Sequence, residues 1–520
     1  MSRPFTLLGN AARSDARSAD SADNASNASP PRAGKLITKE EATTLAQKLL
    51  AMVKDRSVGV QIEHTARTVT KVANGRVLAT DDGDELAIQF DSQFGAGLPV
   101  TIGTNQLDDA TLRRVVEQTQ SMAPPIRPPD EPDDPDDPKY FTYNKREYLP
   151  VNLWHDSTID AMQVARSETV PGMIEQITSA GLVGAATVGV AARATMTLYG
   201  PGLTSWSQET DAEVSVTART PDGKASGWAG QAHRDWAKLD VGAVTRDAID
   251  MANKSRNMVA LEPGRRTAIL GPAAVAQLVR HMPMMFDAYL TDVYKMTPFA
   301  RMDAKLNKIG EQVFDRRLMM ISDPQDPEGG YPPFFEVGGG GTPGFPVPRQ
   351  NLVQGGILTD LSYGLGYNLS MGKPAADDPH SLRVAPMPGV KTATIDEMIA
   401  NCKDGVYVNR FSEVDLLDLK TGMMTGVTRD GCFHVKDGKI NKPVKNFRFA
   451  ESPIFVFNKI EMIGTPSRTA FGYTPPSPGE WGALAAWPPI GVSTRWPRLP
   501  MIVPPMMVQD FTFSALADAV

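Results

Sequence analysis

The sequence predicts an α+β protein, with N-terminal α+β domains followed by a large, mostly antiparallel, β-rich C-terminal domain. The chain has 520 residues, which is too many for a single hydrophobic core. Its first third shows the order helix, antiparallel meander, helix, which is typical of a compact α+β unit. Its second half carries strand-like runs separated by glycine turns and contains few helical segments.

Composition and charge narrow the class of protein further. Hydrophobic residues make up 41% of the chain, yet no run approaches 18 apolar residues, so no membrane span is expected. The net charge of −7 argues against a nucleic-acid surface. Cys402 and Cys432 are the only cysteines, which fits a reducing compartment. With no apolar signal segment visible at the N-terminus, we expect a cytoplasmic protein.

The first part of the chain divides into a tail and a predicted domain. Residues 1–34 are rich in Ser, Ala, Asp and Asn, and this composition predicts a disordered tail. The predicted N-terminal α+β domain, 35–123, begins at Thr38, which forms a capping box with Glu41. Short β runs follow, and Asn74-Gly75 between two of them predicts a type I′ hairpin. A second helix begins near Asp108.

A proline-rich acidic segment, residues 124–138, predicts an extended, self-repelling linker. Residues 139–260 form a predicted central α+β domain, because helical patterns near 156–167, 171–180 and 241–254 alternate with strands near 184–199 and 212–219. Asp222-Gly223 predicts a hairpin turn in this domain. His155 and His233, far apart in the sequence, are interpreted as ordinary surface or hydrogen-bonded histidines.

Residues 261–520 form the predicted β-rich C-terminal domain. It opens with a short strand, a Gly271-Pro272 break and an apolar helix that Pro283 ends or kinks. Further on, Gly355-Gly356 joins two predicted strands, a capping box at Thr394 opens a helix that Gly405 stops, and Asp437-Gly438 turns another hairpin. Residues 416–427 and 431–444 are predicted as strands, and 303–315 as a strand or a helix.

Several segments of this domain resemble one family in matching order. They are NLVQGGILTDL, KDGVYV, DLKTGMMTGV, KDGKINKPVKNFRF and the closing MIVPPMMVQDFTF. Together with the helix that follows Pro272, they resemble the TldD/PmbA family over about residues 55–515. In catalytic members the same helix carries HExxxH, which supplies two zinc-binding histidines and a general-base glutamate.

The resemblance implies that this chain has lost the zinc site. The two histidines correspond to Arg280 and Met285, and the glutamate corresponds to His281. A protonated guanidinium cannot ligate zinc. The family's third ligand is a cysteine before the last strand, but the stretch 465–500 contains no Cys or His. We therefore expect no cofactor on this chain and expect zinc on a catalytic partner.

The resemblance also implies a function, because the family contains paired paralogues. The chain is similar to the ligandless TldE/PmbA partner, which joins an HExxxH-containing TldD-like paralogue in a heterodimer that cuts unfolded or short peptides. Arg280 and His281 are then expected to contact the peptide, with Arg280 holding a carboxylate. Alternatively, Arg280 pairs with an acid such as Asp287 or Asp292.

Two other functions stay open at this stage. One is a self-sufficient metallopeptidase with unusual ligands, in which His281 acts with His233 or His434. The other is a homodimeric peptide-binding protein that has no protease partner.

Overall fold

The computed structural model describes most of the chain. The described residues are 36–52, 58–92, 100–122, 146–199, 203–303, 305–334, 344–364, 367–376, 379, 381–470 and 500–517. The predicted tail and the predicted acidic linker lie outside the described residues. No helix among these residues is both long and apolar enough to cross a bilayer.

The N-terminal half alternates helices with long strands. Its elements are α1 Lys39–Leu50, β1 Val58–Ala73, β2 Arg76–Ser92, β3 Val100–Thr104, α2 Asp109–Met122, α3 Asp156–Val164, α4 Val170–Ser179, β4 Val183–Tyr199, β5 Leu203–Arg219, β6 Ser226–His233 and α5 Val241–Lys254. The capping box predicted at Thr38 is present at the start of α1. Positive φ angles at Asn74 and Gly75 (51° and 71°) form the predicted hairpin turn between β1 and β2.

One six-stranded sheet carries this half, in the order β3-β2-β1-β4-β5-β6. β1 pairs antiparallel with β4 from Gly59 opposite Tyr199 to Ala73 opposite Ala185. The two segments predicted as separate domains, 35–123 and 139–260, thus contribute strands to the same sheet. α1 and α2 cover one part of it and α3, α4 and α5 another, each through its apolar face.

The C-terminal half contains short helices and many strands. Its elements are β7 Gly264–Leu270, α6 Pro272–Val279, α7 Ala288–Asp292, β8 Leu318–Ser322, β9 Gln350–Gln354, β10 Ile357–Leu358, α8 Tyr367–Ser370, β11 Arg383–Pro386, α9 Ile395–Asn401, β12 Asp404–Asp418, β13 Met423–Lys436, β14 Lys439–Pro443, β15 Phe447–Glu451, α10 Pro453–Val456, β16 Ile460–Ile463, β17 Ser467–Arg468, β18 Ile502–Val503 and β19 Met506–Leu516.

Two sheets organise this half. One has the order β10-β9-β8-β11-β18-β17, and the other has the order β12-β7-β19-β15-β13-β14. Most pairs are antiparallel, but β7 runs parallel to β12. A large buried core lies between the sheets and around α6, and its phenylalanines include Phe286, Phe411 and Phe449. The predicted α+β class, rich in antiparallel strands, is confirmed.

Three local predictions for the C-terminal half were wrong. The predicted strand 416–427 is divided, because the chain turns between β12 and β13 at Gly422, whose φ is 66°. Gly405 does not stop α9; the helix ends at its C-cap Cys402, and Gly405 lies inside β12. Residues 303–315 form neither a strand nor a helix where they are described, but turns and isolated bridges.

Polar contacts join the two halves along the open edge of β6. The hydroxyl of Ser226 donates to the Asp430 carboxylate, and the Arg234 guanidinium donates to the carbonyl of Gly330 (Nη2–O distance 2.7 Å). Arg468 Nη2 on β17 lies 3.4 Å from Asp211 Oδ1 on β5, and both side chains are buried. Because an unpaired buried charge is costly, these pairs position the halves relative to each other.

Candidate functional site

Residues 280–285, which the resemblance places at the family motif, follow a buried helix. Gly271 donates its N–H to the carbonyl of Val408, which fixes the end of β7 against β12. Pro272 occupies the first helical position of α6, where its missing N–H costs nothing. α6 ends at Val279, four residues before Pro283, and Arg280 forms its C-cap. The helix is therefore shorter than predicted, and residues 280–285 continue from its end rather than lying on it.

His281 packs inside the C-terminal half. It is 7% exposed, and its Nε2 lies 3.1 Å from the carbonyl oxygen of Val414 on β12. Burial, and secondarily the charge of Arg280, lowers the pKa of His281 to about 4. The imidazole is thus neutral near pH 7 and donates its Nε2–H to the carbonyl. This hydrogen bond occupies Nε2, so that ring nitrogen is not available to a metal ion.

Arg280 and Met285, which the resemblance places at the two histidines of the motif, do not complete a zinc site. Met285 is fully buried in the core, within a 3₁₀ helix that runs from Pro283 to Phe286. Arg280 is partly exposed and cannot ligate a metal. Asp292, one of the acids considered for Arg280, accepts hydrogen bonds from Asn307 and Tyr367 instead. A catalytic zinc needs three protein donors and an open position, so these residues do not fit the metal.

The two histidines considered as partners of His281 lie elsewhere. His434 Nε2 lies 2.7 Å from Asp404 Oδ1, and Asp404 is the first residue of β12. His281 is hydrogen-bonded to the carbonyl of Val414, further along the same strand. At 3.3 Å per residue, those two points of β12 are about 30 Å apart. His233 lies 3.4 Å from Glu328, and burial lowers its pKa. Among the described residues, no group of three or more His, Cys, Asp or Glu side chains could hold a metal ion.

The structure brings together two histidines that sequence reasoning kept apart. The rings of His155 and His233 are 6.3 Å apart, and Asp235 lies 3.9 Å from His155 Nδ1. The Asp235 N–H donates to His233 Nδ1. The pair lies where β6 ends, beside Glu328 of the C-terminal half. No local spacing in the sequence could signal this contact, because the two histidines are 78 positions apart.

A cleft of about 450 Å³ lies between the two halves. Its walls are the open edge of β6, one face of α5, the beginning of α6, the side chains of Tyr407 and Asn409 on β12, and residues 467–470. A second depression of about 310 Å³ shares Pro272 and Ser467 with it and extends toward the beginning of α9. Volumes of this size at domain interfaces are typical of ligand sites.

Backbone groups of β6 point into this cleft. Among the described residues, β6 is an edge strand that pairs with β5 alone in its sheet, and β17 is the edge strand of another sheet on the far side. The Trp228 carbonyl accepts a hydrogen bond from Asn409 Nδ2 at 2.8 Å, so it points away from β5. Along an antiparallel strand, the direction of the backbone N–H and C=O groups alternates from one residue to the next. The N–H and C=O groups of Gly230 and Ala232 therefore also point away from β5. Within the described part of the chain, these two residues make no backbone hydrogen bond outside their sheet.

The fold and the cleft define a two-part α+β protein with an edge strand at the junction. Residues 263–515 match the model of the PmbA/TldA metallopeptidase C-terminal domain. This chain is therefore a member of the TldD/PmbA family, whose domain makes up its C-terminal half. A search of curated proteins found no match.

Three solved structures share the fold over nearly their whole length. A candidate modulator of DNA gyrase from Thermotoga maritima aligns with a TM-score of 0.69 and 16% identity, over 90% of this chain and 99% of that one. TldE from Thermococcus kodakarensis aligns at 0.67 and 14%, over 90% and 99%. A candidate modulator of DNA gyrase from Bacteroides thetaiotaomicron aligns at 0.67 and 15%, over 92% and 100%. At these identities the likeness shows the fold alone.

Proposed function

We propose that this chain is the noncatalytic, peptide-holding subunit of a zinc metallopeptidase whose catalytic subunit is an HExxxH-containing paralogue. Membership of a metallopeptidase-related family supports the reaction class. The observation that carries the proposal is the state of His281, which stands where catalytic members have their general base. It is buried, neutral and hydrogen-bonded to Val414, between an arginine and a buried methionine-rich turn.

The proposed task of the chain is to hold a peptide in position. A peptide that lies along the open edge of β6 would extend the sheet as a further strand. Main-chain hydrogen bonds to Gly230 and Ala232 would then supply affinity that depends little on sequence. Orientation of a bound substrate lowers the barrier of a reaction even when the holding surface does no chemistry. In this proposal Arg280, partly exposed at the end of α6, contacts a carboxylate of the peptide in the assembled enzyme.

Mixing the two subunits tests the division of labour. The chain is purified alone, the HExxxH-containing paralogue is purified alone, and cleavage of an unfolded polypeptide is followed for each and for the mixture. Cleavage is expected to require both chains and to stop when the glutamate of the paralogue's motif is replaced. Chelator-resistant cleavage by this chain alone would overturn the proposal.

Backbone-methylated peptides test the holding mode without altering the protein. A peptide of alternating Val and Lys residues is made in two forms, with N-methyl groups on all odd or all even peptide nitrogens. Only one set of nitrogens can face β6, so one form is expected to lose binding and the other to keep it. Equal binding of both forms would argue against strand addition.

The rival proposal is a homodimeric peptide-binding protein, which the same cleft also supports. Sedimentation of the chain alone and with the paralogue separates the two. A stable homodimer that binds peptide and ignores the paralogue would favour the rival.

A further inference from the structure

Beyond the strand-like binding that the proposed function assumes, we propose that the β6 cleft selects extended peptides with alternating side chains, basic on the side facing α5 and small and apolar on the other. This inference rests on the proposed function, because it needs a peptide that lies along β6. It adds a substrate class and the residues that determine it, Asp247 and Asp250.

The two faces of β6 differ in what they contact. A Cβ at Gly227 would lie 2.2 Å from the backbone nitrogen of Ala252, so this face of the strand is packed directly against α5. Side chains alternate along a strand, so Gly230 faces the opposite way. A Cβ there would lie 2.9 Å from the Ala470 side chain and 2.6 Å from the Trp228 ring. An added strand would inherit the same alternation, with every second side chain on the α5 face.

The α5 face of the cleft is acidic. Asp247 and Asp250 are exposed, line the cleft, and stand three residues apart, on the same side of the helix. Neither takes part in a salt bridge among the residues that the structure describes. Lys254 contributes one positive charge a turn further on. The remaining cation of the lining, Arg468, is already matched by the buried Asp211 carboxylate.

The opposite face of the cleft carries an apolar patch beside the polar residues 467–469. Trp228, Ala273 and Ala470 form a small buried cluster there. The Trp228 indole is held in place, because its Nε1 donates to the Ser215 hydroxyl at 2.9 Å and the Arg410 guanidinium lies 5.3 Å from its ring centre. Small apolar side chains fit against such a surface, whereas a charged one would lose hydration without gaining a partner.

The two acids should favour lysine or arginine and oppose glutamate. Exposed ion pairs each change affinity modestly, and the opposite sign of charge reverses the effect. For two aspartates we expect a preference of about tenfold for a lysine peptide over a glutamate peptide at low salt. Since the carboxylates are exposed, the preference should shrink at an ionic strength near 1 M, where the screening length is about 3 Å.

The experiment uses this chain by itself and three labelled peptides. The peptides are acetylated and amidated hexamers in which Val alternates with Lys, Gln or Glu, and binding is followed by fluorescence anisotropy. The test variant is Asp247→Asn with Asp250→Asn. The matched control is Glu168→Gln with Glu175→Gln, which removes two exposed negative charges from the same half of the chain outside the cleft.

The expected order of affinity is Lys over Gln over Glu for the wild type and the control. The test variant should bind all three peptides within about twofold of one another. If the three peptides bind the wild type equally while backbone methylation still abolishes binding, the selectivity is wrong and strand addition stands. If the control loses the preference as fully as the test variant, net charge rather than the cleft is responsible. If no peptide binds, both this inference and the proposed use of the β6 edge fail.

Discussion

Replacing His281 by glutamine should make the free energy of unfolding less sensitive to acid, because glutamine does not titrate. The folded-state pKa of His281 is about 4, against an unperturbed 6.5, because the ring is buried. The unfolded chain therefore binds a proton at a higher pH than the folded chain does. As the pH falls through 6.5, the unfolded state gains stability, and the penalty to folding grows until the pH reaches about 4.

The size of the effect follows from this difference in pKa. One pKa unit corresponds to about 1.36 kcal/mol, so the full difference is about 3.4 kcal/mol, reached below pH 4. At pH 5 the linkage relation gives about 2 kcal/mol, and at pH 7.5 it gives almost nothing. Glutamine retains an amide N–H that can donate to the Val414 carbonyl, and it does not titrate. The variant should lose a constant amount of stability through poorer packing, but should lose less than the wild type on acidification.

The assay is unfolding by guanidinium chloride, followed by far-UV circular dichroism at pH 7.5 and pH 5.0 for both proteins. Carboxylates titrate in both, so their contribution cancels when the two pH-dependent losses are subtracted. The wild type should lose about 2 kcal/mol more than His281→Gln between these pH values. Parallel losses would mean that His281 is not a buried neutral imidazole, and would reopen a role in proton transfer or metal binding.

Three further predictions follow from the same structure and sequence. The purified chain should hold well under one equivalent of zinc by elemental analysis; near-stoichiometric zinc would contradict the inference that the family's zinc ligands are missing from this chain. Limited proteolysis should cut first before Thr38 and within 124–138, because the composition of these segments predicts a disordered tail and an extended linker; early cuts inside the long strands instead would contradict the predicted linker. Arg410→Leu removes the guanidinium that pairs with the buried Asp430 carboxylate and should cost about 3 kcal/mol, because Ser226 alone does not neutralise that charge. Arg429→Leu, which removes only a 4.0 Å contact with Asp430, should cost under about 1 kcal/mol in the same denaturation assay.

Features set by neighbouring residues were predicted well from the sequence. The capping boxes at Thr38 and Thr394 form as expected, because the side chain and the backbone donors involved lie three residues apart. Asn74-Gly75, Gly355-Gly356 and Asp437-Gly438 turn their hairpins with positive φ angles. Glycine and asparagine tolerate that conformation at little cost, so the signal is local and readable.

Features that depend on long-range pairing were not predictable in this way. The short strands expected in the first half proved to be two long ones, since pairing with β4 supports β1 through positions that look irregular by themselves. The meeting of His155 with His233, and of both with Glu328, joins three separate stretches of the chain. Neither contact leaves a periodic or closely spaced pattern in the sequence.

The features of the candidate site also fall into those that the sequence predicts and those that depend on tertiary structure. The sequence by itself predicted that Arg280, His281 and Met285 occupy the register of the family motif, and residue type alone shows that Arg280 cannot ligate a metal. Only the tertiary structure decided that His281 is buried against Val414, and that an open strand edge borders a cleft lined by Asp247 and Asp250. Burial and strand-edge exposure arise from which surfaces pack together, and packing joins residues that the chain order leaves far apart.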